Sequence, residues 1–185
     1  MLFEEAPRVS LIRPHIFIGT EPATRDAVVL LDNKIVQILH IHAGSWPNSR
    51  PQLLQDLNIE LEELILPPLS SPEDTIPPAL YPEIYQGKLT QELLPWIAKA
   101  ERQSRATMIA SFDGKSRAPA LTIAYLIWGG MNWQEAFRLI TLKCPVAIPT
   151  PGTLASFLQC IGHSLPPEYR DWWKERMFGS AATNL

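Results

Sequence analysis

The chain has 185 residues, enough for one domain with a sizeable core and too short for two. Apolar residues make up 46% and charged residues 19%, which excludes a disordered or coiled-coil chain. The formal charge is −3 with no basic block, which argues against a nucleic-acid partner.

The opening MLFEEAPRVS carries acids where a secretory signal carries a basic region. The longest weakly polar run, Ala118 to Met131, is too short to span a bilayer. The two cysteines, Cys144 and Cys160, do not make a disulfide framework. A cytoplasmic or nuclear protein with reduced thiols is the expectation.

In chain order, Arg13 to Thr20 reads as a short strand ending in a turn. Glu21 to Leu31 has apolar residues at helical spacing, and Lys34 to Ala43 reads as an interior strand. Trp46 to Gln55 holds room for a short helix, and Ile59 to Pro67 is a further strand. A proline-rich stretch then breaks all periodicity and reads as a long loop. Leu89 to Gln103 is helical, with Pro95 near its first turn, where proline costs least.

Arg105 to Ser111 is a short buried strand, SFDGKSR a glycine turn, and Ala118 to Trp128 a nearly all-apolar, buried helix. Asn132 opens the helix ending at Ile140, with Glu135 at capping-box spacing. Gly152 to Cys160 and Pro166 to Phe178 complete the helices. Strands alternating with helices predict a single α/β domain over residues 1–185, with helices packed on a mostly parallel central sheet.

The informative context is strand, glycine turn, buried helix. Successive amides curling at a helix N-terminus form an anion nest. Gly114 relaxes the turn, and Arg117 offers a planar, bidentate donor for phosphate oxygens. Ser111, Phe112, Asp113, Gly114, Lys115, Ser116 and Arg117 are therefore the candidate phosphate-binding residues. A lone Gly-x-x-Arg is also common in ordinary turns.

Ala110 to Arg117 resembles the signature loop of the cysteine-dependent protein phosphatases, with Gly114, Ser116 and Arg117 at the pattern's spacing. The following AYLIWGGMNWQEAFRLI is similar to the segment after that loop in the dual-specificity subclass, and IPTPGTLASFL to a later one. RPHIFIGTEPATRDAVVLLDNKIVQILHI resembles the subclass opening, so the likeness spans about residues 12–160. It implies a protein-tyrosine-phosphatase-like fold.

The departures from that pattern concern the chemistry. Ser111 stands where the resembled family places its nucleophilic cysteine, and Ala110 where it places an ordering histidine. Ala118 stands where the subclass places a hydroxyl residue. An alkyl hydroxyl is a far weaker acid than a thiol, so an anion nest cannot ionise it without a base. The family's general acid falls in register on Ser70, with Glu73 and Asp74 nearby and able to reach the pocket if the loop bends inward. Asp113 reads as a solvated carboxylate pointing outward.

An engineered substrate trap would keep the histidine, the hydroxyl and the acid, so their joint loss points to a natural inactive form. The leading expectation is a pseudophosphatase that binds phosphorylated or other protein partners as a regulator or scaffold. Phosphate or sulfate can occupy its loop. The alternatives are a weakly active phosphatase with unusual chemistry at Ser111, or a structural subunit with a vestigial pocket.

No cofactor is expected, since no nucleotide-binding glycine pattern appears. His40 and His42 lie on one side of a strand, but no carboxylate or cysteine is evident to complete a zinc site, so no metal is expected either. Trp172 and Trp173 near the C-terminus could meet a second copy, or cover the chain's own core.

Overall fold

Strands β1 (Val9–Arg13), β2 (Ile16–Thr20), β3 (Ile35–His42), β4 (Glu60–Ile65) and β5 (Ala106–Ser111) form one sheet of order β1-β2-β5-β3-β4. The computed structural model describes residues 9–43, 52–66, 71–75 and 84–179. Only β1 runs antiparallel to its neighbour; β2, β5, β3 and β4 are parallel. The expected α/β architecture with a mostly parallel sheet is the one found.

Helices α1 (Ala27–Asp32) and α2 (Gln52–Asp56) cover one face. There Phe17, Ile38, Met108 and Ala110 pack with Leu30 and Leu54. A helical segment (Ile84–Leu93), kinked at Gly87 where φ is 124°, leads into α3 (Leu94–Arg102), followed by α4 (Arg117–Trp128), α5 (Trp133–Lys143), α6 (Pro151–Cys160) and α7 (Pro167–Phe178). Their apolar residues bury Ile18, Leu39, Ile41 and Ile109 on the other face. Every residue of α4 from Ala118 to Ile127 is buried, as an apolar helix between a sheet and two further helices must be.

Two details differ from the sequence expectation, and a third fits one of the two roles left open for the C-terminal tryptophans. The segment read as one strand from Arg13 is a hairpin: Pro14 and His15 turn the chain, and His15 adopts a positive φ of 70°. Glu21 to Leu31 is not one helix. A 3-10 turn (Pro22–Arg25) stops at Asp26, whose carboxylate accepts from the amides of Val28 and Val29 and so starts α1 afresh. Finally, Trp173 lies in the core, and the Trp172 ring meets Phe137 edge-on at 4.8 Å. The Trp172–Trp173 segment thus covers the chain's own core. Exposed apolar side chains of α7 are Met177 and Phe178.

His40 is only 1% exposed. Burial, reinforced by His42 and Arg25, drives its pKa from 6.5 down to about 3. The unfolded chain therefore binds a proton there that the folded chain refuses. Stability is complete above the unfolded value of 6.5 and falls as pH drops from 6.5 toward 3. The expected slope reaches about 1.4 kcal/mol per pH unit. Urea unfolding of the wild type and of His40→Gln at pH 7.5 and 5.5 checks this, because the variant loses that contribution to the slope.

No helix among the described residues is long and apolar enough to cross a membrane.

Candidate functional site

The strand β5 delivers Ser111 to the C-terminal edge of the sheet, where parallel α/β sheets place their ligand crevices. The chain then turns through residues 112–116 and enters α4 at Arg117. Gly114 makes this turn possible. Its φ is +67°, and a Cβ would come within 3.3 Å of the Gly19 carbonyl oxygen and of Thr20 at the end of β2.

Above the turn lies an open cleft of about 450 Å³. Ser111, Phe112, Asp113, Ser116 and Arg117 line it, with Glu21, His42, Ser71, Pro72, Thr150 and Thr153. Five of the seven expected loop residues therefore share one cavity. Gly114 is buried beneath it, and Lys115 is exposed outside the lining.

Ser111 is 2% exposed, and its Oγ accepts from the Ala118 amide at 3.3 Å, at the first turn of α4. Two other amides of the turn have partners within it. The Gly114 N–H donates to the Ser111 carbonyl at 3.3 Å. The Lys115 N–H donates to Asp113 Oδ1 at 2.9 Å. Asp113 is exposed, which fits a solvated carboxylate, and it also borders the cleft and accepts from an amide of the turn.

The far wall is set by α6 and α7. The Thr150 N–H donates to Ser116 Oγ at 3.0 Å, and the Ile148 N–H donates to the Lys115 carbonyl at 2.7 Å. The Tyr169 hydroxyl donates to the Pro149 carbonyl at 2.7 Å. Helix α7 thereby fixes the 148–150 segment that fixes the turn. Thr150 and Thr153 escape a reading of the loop alone, although Thr150 belongs to the PTPG segment that opens α6.

The expected acid region does not enter the cleft with its acids. Ser70 lies outside the described residues. Ser71 and Pro72 line the cavity, but Asp74 and Glu73 do not. Asp74 Oδ2 accepts from the Ser71 amide at 2.8 Å. The Glu73 carboxylate is paired with Arg170 and lies 3.5 Å from Lys174, both on α7. Charged partners at the surface of α7 thus hold Glu73 away from the position an inward bend would give it.

Neither cysteine lines the cleft, and burial pushes both thiols up, Cys160 to about 11. They cannot stand in for a thiolate nucleophile at neutral pH.

The whole frame has many solved counterparts. Human DUSP28 superposes with a TM-score of 0.63 over 84% of this chain and 94% of its own, at 20% identity. The fold is that of the dual-specificity phosphatases. Sequence comparison points the same way: dual specificity protein phosphatase 22 of Homo sapiens is 24% identical over 165 residues, 89% of this chain and 79% of that protein. The protein-tyrosine-phosphatase MKP1 of Arabidopsis thaliana is 24% identical over 152 residues, 82% of this chain. The chain spans only 17% of MKP1. No family model matches the chain.

Proposed function

We propose that this dual-specificity-phosphatase-like chain is catalytically inactive and acts as a regulator or scaffold, binding a phosphorylated protein partner at the turn of residues 111–117. The observation that carries this reading is the setting of Ser111. Its hydroxyl is buried at the base of the turn, receives the Ala118 amide, and has no base in hydrogen-bond contact among the described residues. His42 lines the same cleft, but its Nε2 lies 3.2 Å from the Glu63 carboxylate. A serine so placed is not activated for attack on phosphorus, whereas Arg117 and the N-terminus of α4 favour an anion.

A second reading, a structural platform with a vestigial pocket, is favoured by the Asp113 carboxylate on the Lys115 amide. That contact competes with any phosphate for the same donor. Both readings meet in one titration. Calorimetry with inorganic phosphate and with phosphopeptides is expected to show saturable binding. Arg117→Ala should weaken it by roughly 10- to 150-fold, the loss of about 1.5–3 kcal/mol for a hydrogen bond to charge. Asp113→Ala should strengthen it by about tenfold, as it releases the Lys115 amide and removes a like charge. Absence of heat from the folded wild type and from Asp113→Ala would leave only the platform.

A further inference from the structure

We propose that His40, His42 and Glu63 form a zinc-binding site at the edge of the cleft. In a strand, residues two apart project from the same face, so β3 presents the imidazoles of His40 and His42 side by side. Their rings stack with centroids 5.0 Å apart and planes 16° apart. The missing third ligand comes from the neighbouring strand. β3 and β4 are parallel, with His40 opposite Glu63. That register puts a carboxylate on the same face as both imidazoles, 3.2 Å from His42 Nε2. One ligand atom from each of the three residues lies within 4.8 Å of the others.

Tetrahedral zinc with bonds near 2.0–2.2 Å holds its ligands roughly 3.4 Å apart. Glu63 already stands at about that spacing from His42 Nε2, and binding draws the three ligand atoms in from their present limit of 4.8 Å. Two imidazoles and one carboxylate are a donor set that suits zinc, and three protein ligands leave its fourth position open. His40 is buried at the inner end of the cluster, so its ring is held beside that of His42.

The opposing charge is Arg25, whose field reaches His40. Its guanidinium is paired with Glu21 at 2.8 Å, which offsets that repulsion. Because His42 also lines the cleft with Ser111 and Arg117, an ion held here adds positive charge beside the turn. The site is independent of the phosphate-binding reading, since none of its three ligands belongs to residues 111–117.

The test is titration of the metal-free full chain with zinc chloride by calorimetry, together with cobalt(II) absorption, in the wild type, His42→Ala, Glu63→Gln and the distant control His163→Ala. One equivalent of zinc should bind to the wild type and the control. Affinity should fall by tenfold or more in each site variant, with circular dichroism confirming that each stays folded. Cobalt should give visible d–d bands without a thiolate charge-transfer band, and zinc should raise the melting temperature of the wild type but not of His42→Ala. The proposal is overturned by absence of saturable zinc binding in the wild type, by equal binding in folded His42→Ala and Glu63→Gln, or by a thiolate band that places the metal on Cys144 or Cys160.

Discussion

Ser111→Cys is expected to give a single burst of nitrophenolate from p-nitrophenyl phosphate and then almost nothing. The introduced thiol would occupy the buried end of β5, where the Ala118 amide and the N-terminus of α4 favour an anion. Such surroundings lower a thiol's pKa and make the thiolate available. Attack on phosphorus forms the S–P bond and breaks the ester P–O bond, and the departing oxygen takes the electron pair. Nitrophenolate leaves without help. A poorer leaving group needs a proton, and the nearby acids are committed elsewhere: Glu73 to Arg170 and Lys174, Asp74 to the Ser71 amide.

A positioned general acid contributes about 10²- to 10⁴-fold, so phosphotyrosine peptides should react slower than the activated ester by at least that factor. The phosphorylated thiol should then persist, because Ala118 offers no hydroxyl beside it. Stopped-flow absorbance measures burst and steady phases separately. The wild type should show neither. Saturable turnover by the wild type that vanishes in Arg117→Ala would instead show hydrolysis at this site, with Ser111 or water as the nucleophile, and end the inactive reading.

What was legible in the sequence is what the chain decides locally. The order strand, glycine turn, apolar helix is written in consecutive residues, and β5, the turn and α4 follow it within a residue. The Asn132 cap was equally visible, and its side chain accepts from the Glu135 amide at 2.9 Å. The break at Asp26 had a signal too, an N-cap aspartate inside an otherwise helical pattern, but the apolar spacing on either side masks it.

Strand β1 hides for a different reason. Its alternation is blurred: Ser10 is buried beside Ile12 on the inner face while Leu11 is 52% exposed, so hydrophobicity does not mark one face. The rest depends on distance along the chain. Glu63 joins His40 and His42 only through the β3–β4 register, and Glu73 finds its cations on a helix about 100 residues later. No spacing rule in a single sequence supplies either pairing.

That long-range assembly also identifies the backbone position on which the cleft depends most. Gly152 is the second residue of α6, and a Cβ there would lie 1.8 Å from the Asp74 carbonyl oxygen and 2.8 Å from the Glu73 carbonyl carbon. These are backbone atoms, which cannot step aside as a flexible side chain can. The approach is held by the Gly152 amide, which donates to the Pro72 carbonyl at 2.9 Å.

Gly152→Ala must therefore push residues 71–75 off α6. It loses that hydrogen bond and disturbs the Glu73 contacts with α7. Helix propensity favours alanine over glycine by about 1 kcal/mol, which is too little to offset overpacking of up to about 3 kcal/mol with the lost hydrogen bond added. A net destabilisation of about 2–3 kcal/mol lowers the melting temperature of a chain this size by roughly 4–12 °C.

The same displacement takes Ser71 and Pro72 out of the cleft wall, so phosphate affinity should drop even where the variant remains folded. Calorimetric melting and limited proteolysis at residues 71–75 read the two consequences apart. A variant that melts like the wild type would mean that this close approach does not hold the cleft together.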